Sequence, residues 1–245
     1  MMLPPGRRTL ITGASRPYGV ALVRACLERG DRVIATSRNP ARVPVLADLR
    51  AEFGGLELVP LDPADAASVA AAIPVLEEIA PSIDLLLLAP PEPGPHEKLA
   101  DVERDAQFAT MSGTGLVEHY RRSAVAPVLL VRTLLPFLQR ERGARVLFVS
   151  TWLGSLAGKV QGGDYAVCAS ASGLHMLVRA LAYDVADLGI TCLTGNPGWY
   201  ATTPDGPAFR IPIHESASGL LAVTDAITPS QSGGFFDYTG VERPW

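Results

Sequence analysis

Tyr165 lies downstream of the paired hydroxyls Ser150 and Thr151. A tyrosine beside a second hydroxyl is equipped to give a proton to a substrate oxygen while its neighbour holds that oxygen. A free phenol titrates near about pH 10, so losing that proton at neutral pH requires a nearby cation that favours the phenolate. One helical turn after Tyr165, where a cation would share its face, the chain has Ala169. Lys159 stands in a Gly-rich stretch before that helix and could reach back, although an exposed lysine is the simpler reading. His175, ten residues beyond Tyr165, is too far along the helix to stand in. The hydroxyls also have a plain alternative, because serine and threonine end strands without further purpose.

A second chemistry is written near the start. The run Thr12-Gly13-Ala14-Ser15-Arg16-Pro17-Tyr18-Gly19 joins a short apolar segment to a helical one. Glycines in that position let backbone approach a phosphate, and the helix N-terminus supplies N–H donors. Gly13, Ser15, Arg16, Tyr18 and Gly19 form the candidate cradle. Pro17 has no N–H and carries a ring where backbone must come close, which predicts a weakened or reshaped pocket. The next apolar segment ends Thr36-Ser37-Arg38, without the acid that takes a ribose 2′-hydroxyl. Arg16 and Arg38 therefore suit a 2′-phosphate. Their plain reading is solvated surface charge, and that of Asp62 is a helix cap.

Stepwise alternation along the chain provides the frame. Short runs rich in leucine or β-branched residues predict strands at 9–12, 32–36, 56–61, 84–89, 144–150, 191–195 and 235–238. Segments of helical period lie between them at 18–29, 44–53, 65–79, 115–140, 165–188 and 215–227. This order predicts a Rossmann-like, doubly wound α/β fold with seven parallel strands and helices on both faces. Pro74 and Pro127 are expected to interrupt their helices or to start second halves. The Pro/Gly-rich stretches 90–95 and 196–207 follow strands, which puts them at the carboxyl edge where such folds bind ligands.

Composition limits the function. With 245 residues, 48% of them hydrophobic, the chain suits one large core and a single domain over 1–245. A net charge of −4 with dispersed Lys and Arg lacks the footprint of a nucleic-acid binder and favours a small-molecule substrate. Cys26, Cys168 and Cys192 are widely separated and read as reduced packing residues, with no metal-binding spacing, in a cytoplasmic protein. Apolar runs such as 85–91 are too short to cross a bilayer, so neither secretion nor membrane insertion is expected.

Taken together, the Thr12–Gly19 loop, the Ser150-Thr151 pair before Tyr165 and Asn196-Pro197-Gly198 resemble the short-chain dehydrogenase/reductase family. The C-terminal third, through Ser232-Gly233-Gly234-Phe235 and Pro244-Trp245, is similar to its C-factor-like carbonyl-reductase branch. The resemblance implies NADP(H) as cofactor, held mainly by the half 1–113, with catalysis and substrate loops in 114–245. It also implies adenine contact by Asp62 and cofactor contacts at Ala89, Pro197 and Gly198, where Leu88-Ala89-Pro90-Pro91 replaces the usual Asn-Asn-Ala-Gly. Against the family's Asn-Ser-Tyr-Lys group the chain offers Ser123, Thr151, Tyr165 and Ala169, a degenerate active site.

Trp152, Trp199, Tyr200 and Phe209 would make an apolar aromatic lid over Tyr165, suited to a bulky substrate. Two enzyme readings follow: reduction of a ketone or enone with Tyr165 as acid, or redox-silent chemistry such as cyclisation, isomerisation, dehydration or ring opening. A third is a subunit pairing with an active homologue. Apolar residues of 115–140 and 165–188, including Leu129, Leu134, Leu177 and Leu181, predict a homodimer or homotetramer.

Overall fold

The computed structural model describes residues 6–89, 107–140, 143–201 and 210–245. Seven parallel strands form one sheet: β1 (Arg8–Thr12), β2 (Arg32–Ser37), β3 (Leu56–Pro60), β4 (Leu85–Leu88), β5 (Arg145–Val149), β6 (Thr191–Asn196) and, last in the chain, β9 (Phe235–Asp237). Their order is β3-β2-β1-β4-β5-β6-β9. The order reverses after β1, so a crevice opens at the carboxyl ends of β1 and β4, the position where ligands bind in doubly wound sheets. A separate parallel pair, β7 (Tyr200–Ala201) with β8 (Ile211–Pro212), was not indicated by the sequence pattern. Two-residue strands carry too little alternation to be read.

The helices are α1 (Pro17–Glu28), α2 (Pro44–Phe53), α3 (Ala66–Ile79), α4 (Gly113–Tyr120), α5 (Ala126–Leu138), α6 (Tyr165–Asp184) and α7 (Ile213–Ala226). Alternate strand residues point to opposite layers. Leu86 and Leu88 of β4 join Leu130, Leu134, Leu174 and Val178 on one face. Leu85 and Leu87 join Tyr18, Leu22, Leu46 and Leu220 on the other. Both faces are covered, which explains why β4 can be four consecutive leucines.

The expected break at Pro74 is corrected, whereas Pro127 starts a second helical half as the sequence predicts. Pro74 sits inside an unbroken α3. The segment 115–140 is divided by a π-helical turn, Arg121–Val125, after which Pro127 stands in the first turn of α5. Proline is accepted there because first-turn N–H groups have no partner within the helix. Of the apolar residues expected to drive assembly, Leu130, Leu134 and Val178 are buried, Val128, Leu135, Leu177 and Leu181 are partly buried against the core, and Leu129 is exposed. Helix α6 is, by length and composition, apolar enough to cross a bilayer, but its buried residues lie against the sheet and the 152–154 turn. Cys26 and Cys192 are buried, and burial pushes both thiols up to about 12. Cys168 is half-buried and meets Lys159.

Candidate active site

The β1–α1 turn is built on close backbone approach. Gly13 has φ 65°, a left-handed value natural to glycine. A Cβ at Gly19 would run into the carbonyl oxygen of Gly13, so only glycine lets the first turn of α1 sit on the end of β1. Pro17 is the first residue of α1, and the intrahelical ladder begins where Val20 N–H donates to the Arg16 carbonyl at 2.8 Å. The N–H groups of Tyr18 and Gly19 precede that ladder, at the positive end of the helix dipole. Proline is accepted at this position because a first-turn N–H has no intrahelical partner, and Pro17 still leaves the turn one N–H short of what it could offer a phosphate.

In front of this turn lies a cleft of about 80 Å³. Gly13, Ser15, Arg16, Arg38, Asp62 and Ala89 line it, joined by Arg122 from the π turn, which the sequence reading missed. The other four residues expected at the cofactor, Tyr18, Gly19, Pro197 and Gly198, are not part of that lining. Asp62 Oδ1 accepts from Ala64 N–H at 3.0 Å, so one carboxylate oxygen is spent on its own turn.

Tyr18 departs most from expectation. Its side chain is 1% exposed and turned into the core rather than the cleft. The ring lies 4.8 Å from that of Tyr200, and its hydroxyl meets Ser216 Oγ at 3.0 Å. Ser216 in turn donates to the Pro197 carbonyl at 2.6 Å. Burial holds the Tyr18 phenol far above its ordinary value, so it stays protonated. This column ties Pro197, just after β6, and the first turns of α7 to the start of α1.

At the catalytic face the expected group is dispersed. Ser150 is buried and its Oγ meets His175 Nε2 at 2.9 Å. Thr151 caps the short turn Trp152–Gly154, its Oγ1 accepting from Leu153 N–H at 3.3 Å. Tyr165 opens α6 with its ring 6.0 Å from that of Phe108. Among the described residues no hydrogen bond joins Tyr165 to Thr151, Ser150 or Ser123. Ala169 is exposed, so the side chain one turn after Tyr165 faces outward. Lys159 folds back onto the start of α6 rather than onto the Tyr165 hydroxyl: its Nζ donates to the Gly163 carbonyl at 2.9 Å and lies 3.2 Å from Cys168 Sγ. Trp152 and Tyr200 are half-buried, Trp199 is largely exposed, and Phe209 lies outside the described residues.

His175 is 2% exposed, held between Ser150 and the rings of Phe235 and Trp245 at 4.4 and 5.3 Å. Its Nδ1 has no hydrogen-bond partner. Burial lowers its pKa to about 4, so the imidazole is neutral at physiological pH. A second histidine had no place in the sequence reading. His119 of α4 has its Nδ1 2.8 Å from Ser170 Oγ on α6 and 3.4 Å from Ser123 Oγ. The signal was available, since His119 lies four residues before Ser123 and so on the same helical face.

A family model described as short chain dehydrogenase matches residues 7–209. The C-signal protein of Myxococcus xanthus is 36% identical over 141 residues, 58% of this chain and 82% of that protein. An NADPH-bound carbonyl reductase from chicken fatty liver superposes with TM-score 0.85 at 26% identity, covering 99% of this chain and 100% of that one. A carbonyl reductase from Pseudomonas aeruginosa PAO1 in complex with NADP gives TM-score 0.79 at 27% identity, covering 98% and 100%.

Proposed function

Because this chain belongs to the short-chain dehydrogenase family, we propose that it binds NADP(H) at the β1–α1 turn and reduces a ketone or enone on a bulky, apolar small molecule. The observation that carries the reading is the charge of the cleft. Arg16, Arg38 and Arg122 line it together with Ser15 and Ser37, and among the described residues Asp62 is the one carboxylate in the lining. Guanidinium groups recognise phosphate through charge-assisted hydrogen bonds, and no acid at the end of β2 opposes a 2′-phosphate. The N–H groups of Tyr18 and Gly19 supply donors for a diphosphate. The bound nucleotide would supply hydride. The chain's own part is to hold it, exclude water, and offer the hydroxyls of Tyr165 and Thr151 to the substrate oxygen. Within that division 1–113 serves the nucleotide and 114–245 the substrate, with assembly as a homodimer or homotetramer. A non-catalytic subunit pairing with an active homologue is the alternative to this proposal.

A second reading, redox-silent chemistry, is favoured by the catalytic face, where Ala169 stands one turn after Tyr165 and the hydroxyls of Tyr165 and Thr151 have no cationic partner among the contacts described. One experiment separates the two. Calorimetry with NADPH, NADH and adenosine 2′,5′-bisphosphate is expected to rank NADPH first, with Arg38→Ala weakening it by about 1–3 kcal/mol. Equal affinity for NADPH and the bisphosphate would place no binding in the nicotinamide half and decide for the redox-silent reading. No binding of any nucleotide would remove the reductase reading and leave the redox-silent one.

A further inference from the structure

We propose that the amino edge of the sheet carries a second ligand site, one that takes a small organic molecule with two phosphate groups. The inference is independent of the reading above, which concerns the carboxyl edge. A cavity of about 740 Å³ opens at the amino edge, within the size range of small-molecule sites. Among the described residues four arginines line it, Arg7, Arg8, Arg32 and Arg145, against two carboxylates, Glu57 and Asp84. Three of the arginines open their strands: Arg8 starts β1, Arg32 β2 and Arg145 β5. The order β2-β1-β4-β5 sets them in one row, with Arg8 level with Arg32 and Arg145 level with Leu85 of β4. Three strand spacings separate Arg32 from Arg145, about 14 Å at the backbone.

Charge along that row is offset in the middle and not at its ends. Arg8 Nε donates to Asp84 Oδ2 at 3.0 Å and its Nη2 to Oδ1 at 3.2 Å, a forked pair. Arg7 pairs with Asp225, and Glu57 with Arg50 at 3.5 Å. Arg32 is exposed, and its guanidinium has no hydrogen-bond or ion-pair partner among the described residues. Arg145 Nη1 donates to the carbonyls of Thr224 and Ile227 at 2.7 and 2.6 Å. Those carbonyls stand at the C-terminal end of α7 and carry only the partial charge of a helix end, so Arg145 is fixed in place without being neutralised. One free cation and one anchored cation thus stand at the two ends of the row. Guanidinium groups take phosphate through paired, charge-assisted hydrogen bonds. Ile79, Ala80 and Pro81 add an apolar wall to the same cavity. Two anionic groups joined by an organic spacer match this lining, where an inorganic anion alone would leave the wall unused. The cavity is also separate from the nucleotide cleft, because β1 runs from Arg8 to Thr12, about 13 Å, before the β1–α1 turn begins.

The test is calorimetry on the full-length protein with hexane-1,6-diol bisphosphate and, for comparison, inorganic phosphate. Two variants accompany the parent, Arg32→Glu at the amino edge and Arg38→Ala in the nucleotide cleft. Arg32 holds no other described group, so Arg32→Glu is expected to unfold at the same temperature as the parent in the absence of ligand. The bisphosphate should bind the parent, and about tenfold or more weakly the Arg32→Glu variant, the scale of one lost charge-assisted contact. Arg38→Ala should leave that affinity within about 2-fold, and inorganic phosphate should bind at least about tenfold more weakly than the bisphosphate. No binding of the bisphosphate to the parent overturns the proposal, as does equal affinity in Arg32→Glu. Loss of binding in Arg38→Ala would put the probe in the nucleotide cleft, and equal affinity for inorganic phosphate would mean that one cation and not a two-ended site holds it; either result overturns the proposal too. NADPH affinity read in the same variants should follow Arg38 and not Arg32, so failure of the amino-edge site and failure of the nucleotide reading are told apart.

Discussion

The nucleotide end and the catalytic face share one sheet edge but are specified in different ways. At the nucleotide end the geometry is a property of backbone: a left-handed Gly13, the contact of Gly19 with Gly13, and a helix that opens at Pro17. At the catalytic face it is a property of side chains, and these have been exchanged. Ser150 is tied to His175, Ala169 looks outward, and a histidine stands beside Ser123. Backbone requirements tolerate few residue types, whereas a proton path can be rebuilt from any groups that reach. A family frame thus persists while its chemistry is open to change.

The sharpest way to break this comparison is Gly19→Ala. The added carbon would meet a main-chain oxygen in the β1–α1 turn, which a rotamer change cannot relieve. A loss of about 3 kcal/mol in stability is expected, at the upper end of overpacking effects, together with loss of nucleotide binding. Urea unfolding and calorimetry would read both. Near-native stability in that variant would mean that the turn is not fixed by backbone contact.

What the sequence made legible follows the same division. The seven strands, their helices and the cleft residues Gly13, Ser15, Arg16, Arg38, Asp62 and Ala89 were readable because short-range patterns of glycine, β-branched residues and charge determine them. The ring of Tyr18 was not. Its partners Tyr200 and Ser216 come from more than 180 residues away, and no local pattern reports such a contact. His119 was missed for a related reason, since Ser170 lies 51 residues on and the π turn that aligns them leaves no signature in composition. Ala169 could be read as a missing cation, but its outward direction depends on how α6 packs.

The second test concerns the catalytic face and runs through pH. His175 is lowered to about 4 in the folded chain from an ordinary 6.5. Between those values the unfolded chain binds a proton that the folded chain refuses, so folding stability falls as pH drops from about 6.5 towards 4. The linked change is on the order of 3 kcal/mol. Other groups titrate in the same window, so the measurement is a difference: His175→Gln should show a flatter stability profile than the parent between pH 7 and pH 4.5. Parallel profiles would mean that His175 is not sealed, and that the catalytic face is looser than its packing against Phe235 and Trp245 implies.

The smallest expected effect lies where the chain turns into the catalytic helix. Asp164 has φ 54° and ψ 35°, the one non-glycine residue with positive φ among those described, and it follows Gly163 at φ 88°. A side chain in that left-handed region is disfavoured by about 1–2 kcal/mol, less for aspartate than for most residues. Asp164 makes no side-chain capping bond, yet its charge stands at the N-terminus of α6, where a carboxylate contributes about 0.3–1 kcal/mol. Asp164→Gly relieves the strain, loses the charge and gains unfolded-state freedom, so the terms nearly cancel and a net change within about 0.5 kcal/mol is expected. Asp164→Asn keeps the tolerance of left-handed backbone and loses only the charge, so it should be destabilising by about 0.5 kcal/mol. Thermal unfolding of the two variants separates the contributions. If both are much less stable than the parent, Asp164 anchors the start of α6 by more than its charge, and the catalytic face would then depend on a single backbone position just as the nucleotide end depends on Gly19.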